Sequence, residues 1–258
     1  HSHTHDQTNP HEDLDATASL MQGITTEFGG MDGRSPLPIG EALSRLEQEG
    51  TGVNFGLFVG QGTIRAKVMG NGPAEPTQEQ LAEMASLVRQ AMEEGAFGLS
   101  TGLEYVPGKY ASTEEIVTLA AEIQPYGGVY STHLRSEGDG LVEAVEEALA
   151  IGSRAGVPVE IAHLKVVYPR NWGKEKQVVA LIDAARARGQ RVFADVYPYL
   201  APDYGVNRPF SEWAGALPPE HLQIVSAPDP ALVGKNLAQA AAYLGESTDA
   251  AAARLAAD

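Results

Sequence analysis

Residues 130–165 read YSTHLRSEGDGLVEAVEEALAIGSRAGVPVEIAHLK, and their pattern decides the fold. The stretch opens on the end of the run GVYSTH, closed by His133, which reads as a strand. GLVEAVEEALAIGSRAG then carries an amphipathic helical pattern that stops at glycine. VPVEIAHLKV is a second strand, closed by His163. Both strands are almost continuously apolar, as strands covered on both faces must be, and a helix joins them. A strand, a crossover helix and a second strand of that kind form a parallel βαβ unit.

The same alternation runs outward in both directions. Upstream lie the strand candidates GITTEFGG, GVNFGLFVG and AFGLSTGLEYV. Between the last two, Leu81, Met84, Leu87, Val88 and Met92 recur at helical spacing, with Thr77 as N-cap and Gly95 as stop. IGEALSRLEQEG and STEEIVTLAAEIQPYG are further helices. Downstream come the helix KEKQVVALIDAARARG and the strand RVFADVYPYL. Residues from about Asp203 to Pro230 are Pro-rich and irregular, and two helical segments follow them. If the opening HSHTH ends a first strand, the strands number seven. The fold expected is α/β: an incomplete (β/α)8 TIM-type barrel with about seven of eight strands. All 258 residues are expected to belong to this partial barrel.

Composition narrows the function. Asp and Glu number 34 against 18 Lys and Arg, a formal charge of -16. Such a chain is a poor ligand for nucleic acid, where Lys and Arg must neutralise phosphates. It is equally ill suited to an anionic membrane surface. There is no cysteine, which excludes disulfides, thiolate catalysis and sulfur-ligated metal. No apolar run approaches the length of a membrane span. The expected partner is a small molecule, and a cytoplasmic location is the default.

Seven histidines carry the chemistry. His1 and His3 sit two apart, so on a strand both imidazoles face one side. His3 and His5 repeat that spacing and are the alternative pair. His133 in THLR and His163 in AHLK close the fifth and sixth strands, where barrel enzymes place their working groups. His11 and His221 read as surface residues. Imidazole and carboxylate without sulfur suit zinc, one or two ions, and less specifically manganese, iron or cobalt. Asp32, in the glycine-flanked turn GGMDG, is the candidate carboxylate ligand. Glu104, just past a strand end, is expected to act behind the ligands or in its loop.

These motifs resemble the N-acyl-D-amino-acid deacylase (D-aminoacylase) family of the metal-dependent amidohydrolase superfamily. The resemblance rests on HSH, QGITTEFGG with DG and SP after it, GAFGLSTGLEYVPGKYAS, the block of residues 130–165, NWGK and ADVYPY. It implies that His1 and His3 form the first-strand metal pair, with His133 and His163 as further ligands. Asp32 stands where the family has a metal-binding cysteine. The resemblance also implies that Lys165, Tyr197 and Tyr199 line the active site. Arg65 falls in a family motif in which Gln61 replaces the usual histidine, and with Lys165 it is a visible cation for an anionic substrate. The family's general-base aspartate and carboxylate-binding arginine belong to the eighth strand and are expected beyond Asp258. The family's small β domain is likewise not represented, so the chain is expected to be a fragment. The reaction implied is hydrolysis of an N-acyl-D-amino acid to a D-amino acid and a carboxylate. A cyclic amidase of dihydroorotase or hydantoinase type is the alternative, but such enzymes commonly carry a carboxylated lysine on the fourth strand, and AFGLSTGLEYV has no lysine. A non-catalytic, metal-binding partial barrel is the third reading.

Overall fold

The computed structural model describes residues 2–3, 14–199, 201 and 217–255, with backbone only at 2–3. The strands are β1 (Ser2–His3), β2 (Thr26–Gly29), β3 (Asn54–Leu57), β4 (Val59–Gly60), β5 (Gly98–Gly102), β6 (Val129–His133), β7 (Val159–Ile161) and β8 (Val192–Ala194). The helices are α1 (Thr17–Met21), α2 (Ile39–Glu49), α3 (Gln61–Met69), α4 (Gln78–Glu93), α5 (Thr113–Ala121), α6 (Leu141–Ala155), α7 (Glu175–Ala187), α8 (Leu237–Leu244) and α9 (Thr248–Leu255). Every strand pairing is parallel, in the orders β1-β2-β3 and β4-β5-β6-β7-β8. β3 and β4 are two halves of one run, separated by Phe58 alone, and the run pairs with β2 on one side and β5 on the other. The result is a seven-stranded arc of a (β/α) barrel. Among the described residues, β1 and β8 each pair on one side only.

Alternate strand residues serve two layers, as the two-residue period requires. Leu57, Val59, Leu99, Tyr130, Val159, Ile161 and Val192 pack in one core with helix residues such as Met84, Val88, Ile116, Leu119, Val145 and Ile182. On the other face of the strands, Met31, Phe58 and Ala162 form a smaller cluster, against which Phe28 packs. The rings of Phe28, Phe58 and Phe97 lie 4.5–6.0 Å apart, centroid to centroid.

Most helix ends fall where the residues dictate. Thr77 caps α4 in a full capping box with Gln80, and Gly50 ends α2. Ser112 caps α5. Helix α3 has no counterpart in the sequence pattern. Its buried face mixes Ile64 with Gln61 and Arg65, so apolar periodicity does not mark it.

The chain falls into two compact units, His1–Tyr197 and Pro198–Asp258. In the second, α8 and α9 pack through Leu237, Ala241, Ala251 and Ala252. No helix among the described residues is long and apolar enough to cross a membrane.

Candidate metal centre

In a parallel arc all C-terminal strand ends share one rim, so residues far apart in sequence converge there. His133 is the last residue of β6, and His163 lies two past the end of β7. Asp32 lies three past β2, Glu104 two past β5, and Asp195 one past β8.

Two of these positions have unusual backbones. Asp32 has φ +55° and His163 φ +38°, in the left-handed region that non-glycine residues seldom occupy. Local contacts enforce both. Ser100 accepts a hydrogen bond from the Gly33 amide at 3.2 Å and donates to the Gly30 carbonyl, pinning the Asp32 turn to β5. The two backbones touch: a Cβ on Gly102 would sit 2.2 Å from the Asp32 carbonyl oxygen, so only glycine fits there. At His163 the backbone amide donates to the Asp195 carboxylate.

The side chains close a compact N/O cluster. Asp32, His133 and His163 each present a donor atom within 4.8 Å of the others. His133 Nδ1 lies 3.0 Å from His163 Nε2, and the two carboxylate oxygens of Asp32 divide between them, Oδ2 at 3.6 Å from His133 Nδ1 and Oδ1 at 3.6 Å from His163 Nε2. Ligands bound tetrahedrally at about 2.0–2.1 Å are roughly 3.4 Å apart. The donor separations of 3.0 and 3.6 Å therefore bracket the spacing of one face of a zinc site.

Each imidazole meets a carboxylate on its other nitrogen. Glu104 Oε2 is 3.0 Å from His133 Nε2, and Glu137 Oε1 is 3.0 Å from His163 Nδ1. Carboxylates in that position fix the tautomer and orientation of a metal-binding histidine. Glu137 is almost fully buried and is held by the Lys165 ammonium. The Tyr105 hydroxyl is 3.3 Å from His133 Nδ1.

The electrostatics are those of a site that attracts a cation. Burial lowers the pKa of both imidazoliums, but their carboxylates outweigh it. Asp32 and Glu104 hold His133 above its ordinary value, and Asp32 and Glu137 push His163 up to about 9. Burial raises the Glu137 carboxyl, yet His163, His133 and Lys165 bring it below its usual value. Three carboxylates thus surround two imidazoles, and a divalent ion fits that donor set and charge.

The other expected residues divide. His1 and His5 lie outside the described residues, and of His3 only the strand backbone, opposite Phe28, is described. Lys165 does not stand free for an anionic substrate. It is bound to Glu137, and its Nζ lies 3.0 Å from His163 Nδ1. Tyr197 is partly buried, with the Lys165 ammonium 5.6 Å from its ring centroid. Tyr199 is 69% exposed and lies in the second unit. Arg65 departs most from expectation: it is fully buried, donating to the Glu115 carboxylate and the Ala74 carbonyl. Its charge is used inside the helical layer, between α3 and α5, rather than at the rim.

Sequence reading missed Glu137 and Asp195. Asp195 directly follows β8, while Glu137 lies four residues past the end of β6, and an acidic residue four positions after a strand-end histidine, as in HLRSE, is the signal that could have found Glu137.

The parallel barrel arc thus gathers two histidines and an aspartate on its C-terminal rim as a candidate metal site. No family model matches the chain. It is 35% identical over 269 residues to a D-aminoacylase from Alcaligenes xylosoxydans xylosoxydans, covering 95% of this chain and 54% of that protein. An N-acyl-D-glutamate deacylase from the same organism is 35% identical over 238 residues, covering 91% of this chain and 48% of that one. Among solved structures, the N-acyl-D-glutamate deacylase of Bordetella bronchiseptica, complexed with zinc and a phosphonate inhibitor, superposes with a TM-score of 0.85 at 32% identity. That match covers 98% of this chain and 57% of the solved one. The chain is thus a homologue of the N-acyl-D-amino-acid deacylases, the D-aminoacylase branch of the amidohydrolases. It spans about half the length of the relatives it matches.

Proposed function

We propose that the protein carrying this chain is a zinc-dependent deacylase that hydrolyses the amide of N-acyl-D-amino acids, releasing a D-amino acid and a carboxylate. The observation that carries this reading is the Asp32, His133 and His163 triangle, with carboxylates behind both imidazoles. These three residues would hold the ion, and His1 with His3 would supply the first-strand pair. Such an ion, when bound, acts as a Lewis acid toward water and the amide carbonyl.

The chain's own residues prepare the site. Glu104 keeps the proton of His133 on Nε2, leaving Nδ1 to face Asp32. Glu137 does the same for His163 on Nδ1, leaving Nε2 to face Asp32. Lys165 keeps Glu137 ionised. Asp195 holds the backbone of His163 in its strained form. Tyr197 is the candidate substrate contact on this side of the rim. No residue of this chain is assigned the general base. The cyclic-amidase alternative is disfavoured because β5 reads GLSTG, which offers no lysine to bridge two ions.

Metal analysis and a substrate panel test the reading. Purified protein should carry zinc, and His163→Ala should lose it; retention of a full equivalent by that variant would contradict the ligand assignment. N-acetyl-D-amino acids should be cleaved and their L-isomers spared by the full-length gene product. Cleavage of cyclic ureides alone would refute the deacylase reading.

A further inference from the structure

A cation stands two residues past each ligand histidine, Arg135 in THLR and Lys165 in AHLK. Lys165 holds Glu137, the carboxylate behind His163. Arg135 instead binds the far end of the loop that carries Glu104, the carboxylate behind His133. That loop spans residues 103–112, between β5 and α5. The Arg135 guanidinium grips Glu147 of α6 by two bonds, Nε to Oε2 at 2.8 Å and Nη2 to Oε1 at 2.9 Å. It also donates to two main-chain carbonyls of the loop, from Nη1 to Lys109 at 3.1 Å and from Nη2 to Ala111 at 2.9 Å. Thr113, the first residue of α5, donates to the same Glu147 at 2.7 Å. Only a planar fork of donors serves so many acceptors at once.

The near end of the loop is fixed at the metal cluster. The Leu103 amide donates to the His133 carbonyl at 3.1 Å, and the Lys109 amide to the Tyr105 carbonyl at 2.7 Å. Between these points lie Glu104, with Oε2 3.0 Å from His133 Nε2, and Tyr105, whose ring centroid is 4.5 Å from that of His133. The Tyr105 hydroxyl approaches Nδ1, the nitrogen that faces Asp32. The Glu104 carboxylate meets the opposite nitrogen and is therefore the group that orients the imidazole for a metal. The Glu104 side chain is 33% exposed, so surrounding side chains do not confine it and its place follows from the loop backbone. Ordering a loop costs conformational entropy, which contacts at both of its ends must offset.

We propose that Arg135 is a positioning residue for the metal centre: by fixing the far end of the 103–112 loop it holds Glu104 against His133 and so raises the affinity of the site for its ion. The proposal rests on the metal-centre reading above. Each ligand histidine is thus followed, two residues on, by a cation that secures its carboxylate, directly for His163 and through a loop for His133.

The test measures zinc affinity of the full-length protein by chelator competition, and amide hydrogen exchange of its metal-free form. Arg135→Met keeps the aliphatic stem and removes the fork. Zinc should then bind about ten-fold more weakly, the lower end of what losing a carboxylate behind a metal-binding histidine causes. The Tyr105 and Lys109 amides should exchange faster. Arg154→Met is the control. It breaks an exposed ion pair with Glu114 that joins the same two helices, α6 and α5, and among the described residues Arg154 has no hydrogen bond to the loop. Its zinc affinity should match the wild type. Adding Arg135→Met to Glu104→Gln should weaken binding no further than Glu104→Gln alone, because both act through one contact. Should Arg135→Met not fold, Arg135→Lys carries the same expectations, since it keeps a charge beside Glu147 without the fork. Wild-type affinity in the Arg135 variant, an equal loss in the Arg154 control, or additive losses in the double variant would overturn the proposal. A wild-type protein that binds no zinc would overturn the metal-centre reading itself, and the proposal with it.

Discussion

Replacing Glu115 with alanine is a sharp test of where Arg65 acts. Both side chains are buried, at 0% exposure for Arg65 and 1% for Glu115. The Glu115 carboxylate accepts from Arg65 on one oxygen and, at 2.8 Å, from Gln61 on the other. Without it, the guanidinium keeps only the Ala74 carbonyl among its observed acceptors, in a layer closed to water. Removing one partner of a buried pair destabilises by about 3–5 kcal/mol, because the remaining charge is stranded. In a chain of this size each kcal/mol moves the midpoint by about 2–4 °C, so the variant should melt roughly 6–20 °C lower. Urea denaturation followed by circular dichroism measures the loss directly. The double variant Arg65→Met with Glu115→Leu should recover most of it, since an apolar pair of similar volume leaves no charge behind. A loss below about 1 kcal/mol for Glu115→Ala would refute the buried-pair argument. So would an Arg65→Met variant of normal stability whose only defect was weaker substrate binding.

Two further predictions concern the rim. Glu137→Gln removes the carboxylate behind His163, and zinc affinity should fall about ten- to hundred-fold in a chelator competition; an unchanged affinity would show that His163 needs no such orientation. Burial, with Asp195 beside it, raises the Glu160 carboxyl from 4.5 to about 8. Between those pH values the folded protein keeps a proton that the unfolded chain releases, so stability should fall as pH rises through that window. Glu160→Gln should flatten this part of the stability profile, and an equally steep profile in the variant would exclude Glu160 as its source.

Much of the barrel is legible in the sequence because each element carries its own signal. Residues 130–165 show two apolar strands and an amphipathic helix without reference to anything distant. Thr77 and Gly50 mark helix ends by chemistry confined to a single turn. Helix α3 escaped because Arg65 and Gln61 are buried on a partner, Glu115, some fifty residues away, and no local pattern reveals that. His133, His163 and Asp32 were legible as candidate ligands from residue type and position at strand ends or glycine turns. The carboxylates behind the imidazoles were less so. Glu104 was recognised as a neighbour of the site, while Glu137 and Asp195 were not singled out, since an acidic loop residue is ordinarily solvated.

The sequence by itself determined the parallel α/β class, the order of its elements and the residue types that could bind a metal. These properties follow from periodicity, capping and side-chain chemistry, all read over a few neighbouring positions. Only the tertiary structure decided how the charges are distributed. It turned Arg65 inward to Glu115, tied Lys165 to Glu137 and set Arg135 on Glu147 beside the loop that carries Glu104. Whether a cation serves the core, a histidine or a loop depends on which carboxylate folding brings within about 4 Å, a long-range outcome that local sequence does not encode.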